Sequence, residues 1–185
     1  NNGDVAGSIS KRPNMLPIAD LLEEKGDEIF EQADSVVLEV DIDKATVKKV
    51  FELAEKHGVK TYAVVSNMSI AIERRDFFQK FDCFICNEQE AGMLFLDDYS
   101  DKTPEELRDI LAEKVQRAKI PAMVVTMGGK GAVYADLQGN KGICPAKRVQ
   151  VKDTTGAGDS FSGALLFAMT EGYSMPQGLD LAARC

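Results

Sequence analysis

The stretch Asp153-Thr154-Thr155-Gly156-Ala157-Gly158-Asp159-Ser160-Phe161 decides how this sequence is interpreted. It follows a short strand-like run and opens a helix. Its glycines allow a tight turn and leave main-chain amides uncovered, and amides at the start of a helix form an anion site. Asp159, in the first turn of that helix, is placed to accept a proton from a hydroxyl group while the amides hold a phosphoryl group. An ordinary helix start with a capping acid is the alternative.

Upstream of this stretch, short apolar runs alternate with helical segments. The apolar runs at residues 36–40, 61–65, 83–86 and 122–126 predict strands. The helical segments are residues 44–57, a short one after residue 69, one that opens near Glu88, and residues 103–119. Apolar strands that alternate with helices are typical of a parallel sheet covered on both faces.

Downstream of the last of these strands the pattern changes. Residues 131–136 and 141–145, separated by a Gln138-Gly139-Asn140 turn, predict an antiparallel hairpin at the sheet edge. Two helices, at residues 157–171 and from residue 176 to the end, should close the chain. The predicted fold class is therefore α/β, a mainly parallel sheet with helices on both faces and an antiparallel hairpin at its edge.

The bulk composition narrows the function classes. The chain has 185 residues and a formal net charge of -8, so it lacks the basic field that a general nucleic-acid partner requires. No apolar run is long enough to cross a bilayer, and the polar first residues do not resemble a signal peptide. We expect no nucleic-acid and no membrane partner.

The cysteines predict structural thiols. Cys83 and Cys86 form a C-x-x-C in a predicted strand, where residues three apart face opposite sides, so the pair cannot easily hold one metal ion. No second cysteine pair or histidine pair completes a zinc set. Free thiols fit a reducing compartment, and we expect the protein to be cytoplasmic.

Two other segments carry polar groups at the ends of predicted strands. Asn87-Glu88-Gln89-Glu90 places Asn87 and Glu90 on one side of a helix turn, where oxygen-bearing groups suit a Mg²⁺ that keeps most of its waters. A helix cap followed by a solvated acid is the simpler alternative. Thr126-Met127-Gly128-Gly129-Lys130-Gly131 follows the next strand, at the edge where open α/β sheets bind ligands. All three motifs should therefore meet at one edge of the sheet.

Together these motifs resemble the ribokinase, or PfkB, family of carbohydrate kinases. D-T-T-G-A-G-D-S-F is similar to a specific signature of that family, and its N-x-x-E and T-x-G motifs occur here in the same order. The resemblance extends from about residue 36 to residue 183. It implies a ribokinase-like fold and an ATP-dependent transfer of the γ-phosphate to a hydroxymethyl group of a sugar or nucleoside.

The resemblance also implies site roles. It makes Asp159 the catalytic base, and it assigns the main-chain amides of the anion hole to Gly156, Ala157 and Gly158. It implies that Asn87 and Glu90 bind Mg²⁺ through water and organise the phosphates. Contacts with the nucleotide are implied for Thr126, Gly128 and Gly131, and a monovalent cation is implied at Asp153 and Thr155. Whether that cation, such as K⁺, is needed stays open.

The resemblance also predicts which segments of the family this chain lacks. The N-terminal part of the family, with most of its lid and acceptor site, has no counterpart here, so residues 1–14 are interpreted as a remnant of a lid strand. Residues 15–185 then form one incomplete α/β nucleotide-binding domain, which alone is expected to be inactive. The resemblance also implies that the full-length protein can form a homodimer, since related kinases often dimerise through the lid.

Several alternatives stay open. Residues 2–10 and 37–42 resemble pseudouridine-kinase-like members, which favours a nucleoside acceptor, with a sugar or sugar phosphate as the rival. A non-catalytic nucleotide-binding or regulatory module could share the fold. A dinucleotide-binding oxidoreductase is weaker, because the G-x-G-x-x-G fingerprint is absent. Lys130, flanked by glycines near a strand end, could approach a phosphate.

Overall fold

The described part of the chain, residues 14–40, 42–65, 72–150 and 154–185, contains six strands that form one sheet in the computed structural model. The strands are β1 Ser35–Glu39, β2 Lys60–Val64, β3 Cys83–Asn87, β4 Ala122–Thr126, β5 Ala132–Asp136 and β6 Lys141–Cys144. Each strand lies beside the next in the chain. The first four predicted strands agree with β1 to β4 within one residue at each end.

The strand directions confirm the predicted fold class. β1 to β4 are parallel, whereas β5 runs antiparallel to both β4 and β6. The predicted hairpin therefore forms one end of the sheet. In the β3–β4 register Asn87 lies opposite Thr126, so the last residues of these two strands are neighbours at the carboxyl edge.

Helices cover both faces of the sheet. They are α1 Leu16–Glu31, α2 Lys44–His57, α3 Glu88–Phe95, α4 Pro104–Ala118, α5 Ala157–Thr170 and α6 Met175–Ala182. Two short 3₁₀ helices span Ile72–Phe77 and Gly128–Lys130. Helices α2, α3 and α4 share one buried apolar cluster with alternate strand residues, α1 packs on α2, and α5 and α6 cover the opposite face.

Strand β3 shows how the two faces are built. Cys83 and Ile85 lie in the cluster under α5 and α6, whereas Phe84 and Cys86 lie in the cluster under the other helices. All four side chains are buried, as expected for a central parallel strand. The two cysteines point to opposite faces, as the strand pattern predicts, so the pair cannot hold one metal ion.

Capping residues set the helix boundaries that the sequence predicts. Thr103 accepts a hydrogen bond from Glu106 N, and the Glu106 carboxylate accepts one from Thr103 N, which gives α4 a capping box. Asp43 caps α2 at its start, and Gly58 ends it with a φ of 68°. A left-handed residue at this position favours glycine.

Helix α1 lies outside the helices predicted above. Gly26 interrupts its apolar pattern, and an interior glycine weakens a helix by about 1 kcal/mol relative to alanine. The glycine is needed for packing, because a Cβ atom there would lie 2.6 Å from Cδ1 of Leu53 on α2. Close contact with α2 and burial of Leu22 and Phe30 compensate for the weak local preference.

Some expectations lie beyond what the structure describes. Residues 1–13 of the predicted lid remnant and Asp153 fall outside the described residues. The short helix expected after residue 69 begins outside the described residues. Its described part is the 3₁₀ helix Ile72–Phe77. Among the residues that are described, none of the helices combines the length and apolar character needed to cross a bilayer.

Candidate active site

A small cleft lies where the carboxyl ends of the parallel strands meet the start of α5. Its volume is about 130 Å³. The lining residues are Glu39, Val64, Val65, Ile85, Cys86, Asn87, Glu90, Thr126, Gly158, Asp159 and Ser162. Residues from all three sequence motifs are present, so the predicted convergence at one sheet edge is found in the structure.

Asn87 and Glu90 form a capping box at the start of α3. The Asn87 side-chain oxygen accepts a hydrogen bond from Glu90 N at 2.9 Å, and Glu90 Oε2 accepts one from Asn87 N at 2.8 Å. Asn87 is the last residue of β3, so these bonds fix the turn from strand to helix. Asn87 therefore caps the helix, as the simpler alternative predicts. The capping box uses the Asn87 side-chain oxygen and Oε2 of Glu90, and leaves the second Glu90 oxygen available.

Glu39 is a site residue that the sequence motifs do not identify. It ends β1 and faces the same cleft as Glu90. Burial raises the pKa of the Glu90 carboxyl group, its bond from the Asn87 amide lowers it, and the Glu39 charge raises it further. Glu39 lies inside the run 36–40 that was predicted as a strand, and in the sheet register it is level with Ile85 and not with Asn87. No signal in the sequence therefore marks it as a site residue.

The start of α5 carries the acid of the third motif. Gly156 precedes the helix with a φ of 77°, a conformation that favours glycine. The Ala157 amide donates to Thr154 O at 3.1 Å and closes the turn. Asp159 and Gly158 are exposed and line the cleft, so the carboxylate is open to an incoming molecule. Thr155 is also exposed but does not line the cleft.

The turn after β4 is shaped by two glycines with different surroundings. Gly128 has a φ of 53° and open space where a Cβ would be, whereas Gly131 has a φ of 104° and lies against the backbone of β6. Thr126 lines the cleft and its hydroxyl is 3.5 Å from Cys86 O. Neither glycine lines the cleft. The position of Gly131 explains it as a packing residue, and any contact with a nucleotide stays a prediction.

The charges around the cleft indicate what it can bind. Three carboxylates line it, Glu39, Glu90 and Asp159, and none of its described lining residues is Lys or Arg. An anionic phosphate chain could approach only with a cation. Within the described residues no group of three or more His, Cys, Asp or Glu side chains is arranged to hold a metal ion. Carboxylate and amide oxygens are the donors that Mg²⁺ accepts while it keeps several of its waters.

Replacing Glu39 with glutamine should lower the pKa of Glu90, because the Glu39 charge is one of the causes that raise it. A carboxyl group whose pKa is raised in the folded state destabilises the fold when it ionises. Stability is therefore lost as the pH rises from the ordinary value of 4.5 through the raised pKa, and the replacement should reduce that loss. Carbon-13 NMR titration of the Glu90 carboxyl group measures the shift.

Asp34→Asn is the matched control, since Asp34 is exposed and precedes the other end of β1. It should leave the Glu90 titration unchanged. A Glu90 pKa that stays constant or rises in Glu39→Gln would show that the two carboxylates do not interact.

Comparison with known proteins agrees with this geometry. The profile of the pfkB family carbohydrate kinases matches residues 9–185. The chain is 31% identical to guanosine-inosine kinase of Exiguobacterium acetylicum over 185 residues, which is 100% of this chain and 60% of that protein. It is 28% identical to ribokinase of Schizosaccharomyces pombe, covering 81% of this chain and 46% of that protein.

Among solved structures, ribokinase of Arabidopsis thaliana complexed with ribose and ATP superposes with a TM-score of 0.72 at 27% identity. The match covers 86% of this chain and 50% of that chain. This chain therefore spans about half the length of the relatives that it matches, and the shared half contains the sheet edge described above.

Proposed function

Because this chain belongs to the pfkB family of carbohydrate kinases, we propose that the intact protein transfers the γ-phosphate of ATP to a hydroxymethyl group of a nucleoside or sugar. One observation carries the proposal. Asn87, Thr126 and Asp159, which come from three separate motifs, line one cleft at the carboxyl edge of the parallel sheet.

Asp159 is the proposed base. It lies in the first turn of α5, and its exposed carboxylate can reach an acceptor hydroxyl that enters from solvent. The amides of Gly156 and Gly158 at the start of the same helix would bind the transferred phosphate, where the helix dipole also favours negative charge. The Ala157 amide donates to Thr154 O instead, so the structure does not support the predicted role of Ala157 in the anion hole. In this arrangement the hydroxyl gives its proton to Asp159 as its oxygen bonds to the γ-phosphorus and ADP leaves.

Glu90 and Asn87 are the proposed Mg²⁺ organisers. When bound, the ion would neutralise the phosphates in a cleft that has no described Lys or Arg in its lining. The two side chains would hold it through water, and the capping box would fix their direction. Thr126, opposite Asn87 in the sheet, would contact the nucleotide, and a monovalent ion such as K⁺ near Thr155 is part of the same proposal.

A nucleoside is the acceptor that the similarities support most. Guanosine-inosine kinase is a relative whose match extends over 100% of this chain. Pseudouridine, favoured by the resemblance of residues 2–10 and 37–42, is a further nucleoside candidate. Glu39 could accept hydrogen bonds from the hydroxyl groups of a ribose, because its carboxylate faces the same cleft as Asp159. Free cysteines, three of them buried, support a reducing cytoplasmic location.

A phosphorylation screen of the intact protein tests the proposal. Guanosine, inosine, pseudouridine, ribose and a sugar phosphate are each incubated with ATP and Mg²⁺, and the phosphorylated product is identified by mass spectrometry. Transfer to a nucleoside supports the proposed acceptor class, and transfer only to a sugar corrects it. Binding of ATP with no transfer to any acceptor would favour a regulatory module instead.

Replacing Asn87 with serine separates capping from metal organisation. Serine caps helices about as well as asparagine, so the unfolding free energy should change by less than about 0.5 kcal/mol. The amide that orders the hydrated ion is lost, and kcat/KM at limiting Mg²⁺ should fall about 10–100-fold. Urea unfolding and steady-state kinetics of the intact protein measure the two effects.

Thr103→Ser is the control, since it exchanges one capping residue for another at the start of α4, away from the cleft. Both its stability and its activity should stay close to the wild type. Equal activity of Asn87→Ser and the wild type would limit Asn87 to helix capping.

A further inference from the structure

Lys130 bends away from the cleft and binds the loop between α3 and α4. Its Nζ donates to the main-chain oxygen of Ser100 at 2.9 Å and to that of Lys102 at 3.2 Å. Glu88 Oε2 lies 3.8 Å from the same nitrogen. An ammonium group has three donors, and two of them already bind main-chain oxygens. The geometry therefore does not support the expectation that Lys130 could approach a phosphate.

Glu88 depends on this lysine. Its Oε2 atom is buried and has no hydrogen-bond partner within the described part of the chain. An unpaired buried carboxylate oxygen is unfavourable, and the ammonium group of Lys130 supplies the neighbouring positive charge. Loss of Lys130 would leave that oxygen without charge compensation.

The contacts of Lys130 join three segments that matter for the site. Lys130 ends the 3₁₀ helix Gly128–Lys130, in the turn proposed to contact the nucleotide. Glu88 is the first residue of α3 and directly follows Asn87. Lys102 directly precedes Thr103, which caps α4. One side chain thus connects the nucleotide turn with the start of the helix that carries Glu90.

We propose that Lys130 is a positioning residue that holds the nucleotide turn in register with the start of α3, and so sets the affinity for ATP. The inference rests on the proposed function, because it assumes that ATP binds at this edge of the sheet. Lys130 touches no reacting group in this account. Its effect should therefore appear in the KM for ATP and not in the KM for the acceptor.

Lys130→Met in the intact protein tests this directly. The apolar side chain keeps most of the volume but loses both main-chain bonds and the charge beside Glu88. The KM for ATP should rise about three- to tenfold, while kcat at saturating ATP and the acceptor KM change less than about twofold. Lys130→Arg, which can still donate to the two carbonyl groups, should restore most of the affinity.

Lys114→Met is the matched control. Lys114 Nζ binds Asp97 in the same loop at 3.1 Å, with a side-chain exposure of 29% against 42% for Lys130, but it does not contact the nucleotide turn. Its KM for ATP and its kcat should match the wild type.

Glu88→Gln gives a second test, because it removes the charge that Lys130 faces. It should also raise the KM for ATP, by a smaller factor than Lys130→Met.

The outcomes separate this inference from the function on which it rests. An unchanged KM for ATP in Lys130→Met overturns the positioning role, even if urea unfolding shows reduced stability. An equal rise in Lys114→Met overturns it too, because a general loosening of the loop would then explain the effect. A wild-type protein that binds no ATP overturns the proposed function itself.

Discussion

Asp159→Asn should lower kcat of the intact protein by about 10²–10⁴-fold, while the affinity for Mg·ATP should stay nearly unchanged. Asparagine has the same size but cannot accept the hydroxyl proton, so only the step that needs a base is affected. The side chain is exposed at the start of α5, where its loss removes no buried contact. Single-turnover kinetics measure the step, and calorimetric titration measures Mg·ATP binding.

Glu171→Gln is the control for this experiment. Glu171 is exposed and caps the opposite end of the same helix. Its replacement by glutamine therefore removes one negative charge, as Asp159→Asn does, but far from the cleft. Its kcat should match the wild type. Near-normal turnover by Asp159→Asn would remove Asp159 from its role as base and leave the cleft without an identified proton acceptor.

Gly131→Ala should cause the largest loss of stability among single substitutions in the nucleotide turn. Gly131 has φ of 104° and ψ of -140°, a conformation that residues with a Cβ rarely adopt. A Cβ there would also lie 2.1 Å from Cys144 O and 2.8 Å from Ala146 N, and both atoms belong to the backbone. We expect the unfolding free energy to fall by about 3 kcal/mol or more. Urea unfolding of the intact protein measures the loss.

Gly129→Ala provides the matched control two residues away. No atom lies within 4 Å of a Cβ built on Gly129, and its φ is not in the left-handed region. Its unfolding free energy should stay within about 0.5 kcal/mol of the wild type. A Gly131→Ala protein as stable as Gly129→Ala would show that β6 can shift to make room.

The strands and most helices could be predicted because local and tertiary preferences agree there. Near-continuous apolar runs predicted β1 to β4, and the helical segment 103–119 predicted α4, whose start Thr103 caps. Helix α1 could not be predicted because Gly26 weakens its local pattern, and the reason for that glycine is a contact with Leu53 in another helix. Such a contact is invisible until α1 and α2 are placed together.

The candidate site shows the same division. The motifs predicted that Asn87, Glu90, Thr126 and Asp159 would meet, because parallel strands end at a common edge. Glu39 was missed because no motif marks it and because it lies inside the apolar run predicted as β1. The direction of Lys130 could not be predicted from flanking glycines, since its partners are main-chain oxygens of a distant loop.

The register of β3 and β4 has a consequence for how ATP binding would affect the ends of both strands. Asn87 and Thr126 sit side by side in one ladder of main-chain bonds, so fraying of either strand end displaces both. ATP that contacts both residues would stabilise the hydrogen-bonded ends of the two strands. Amide protons at the carboxyl ends of both strands should then exchange with solvent more slowly, and to the same extent, when ATP is present.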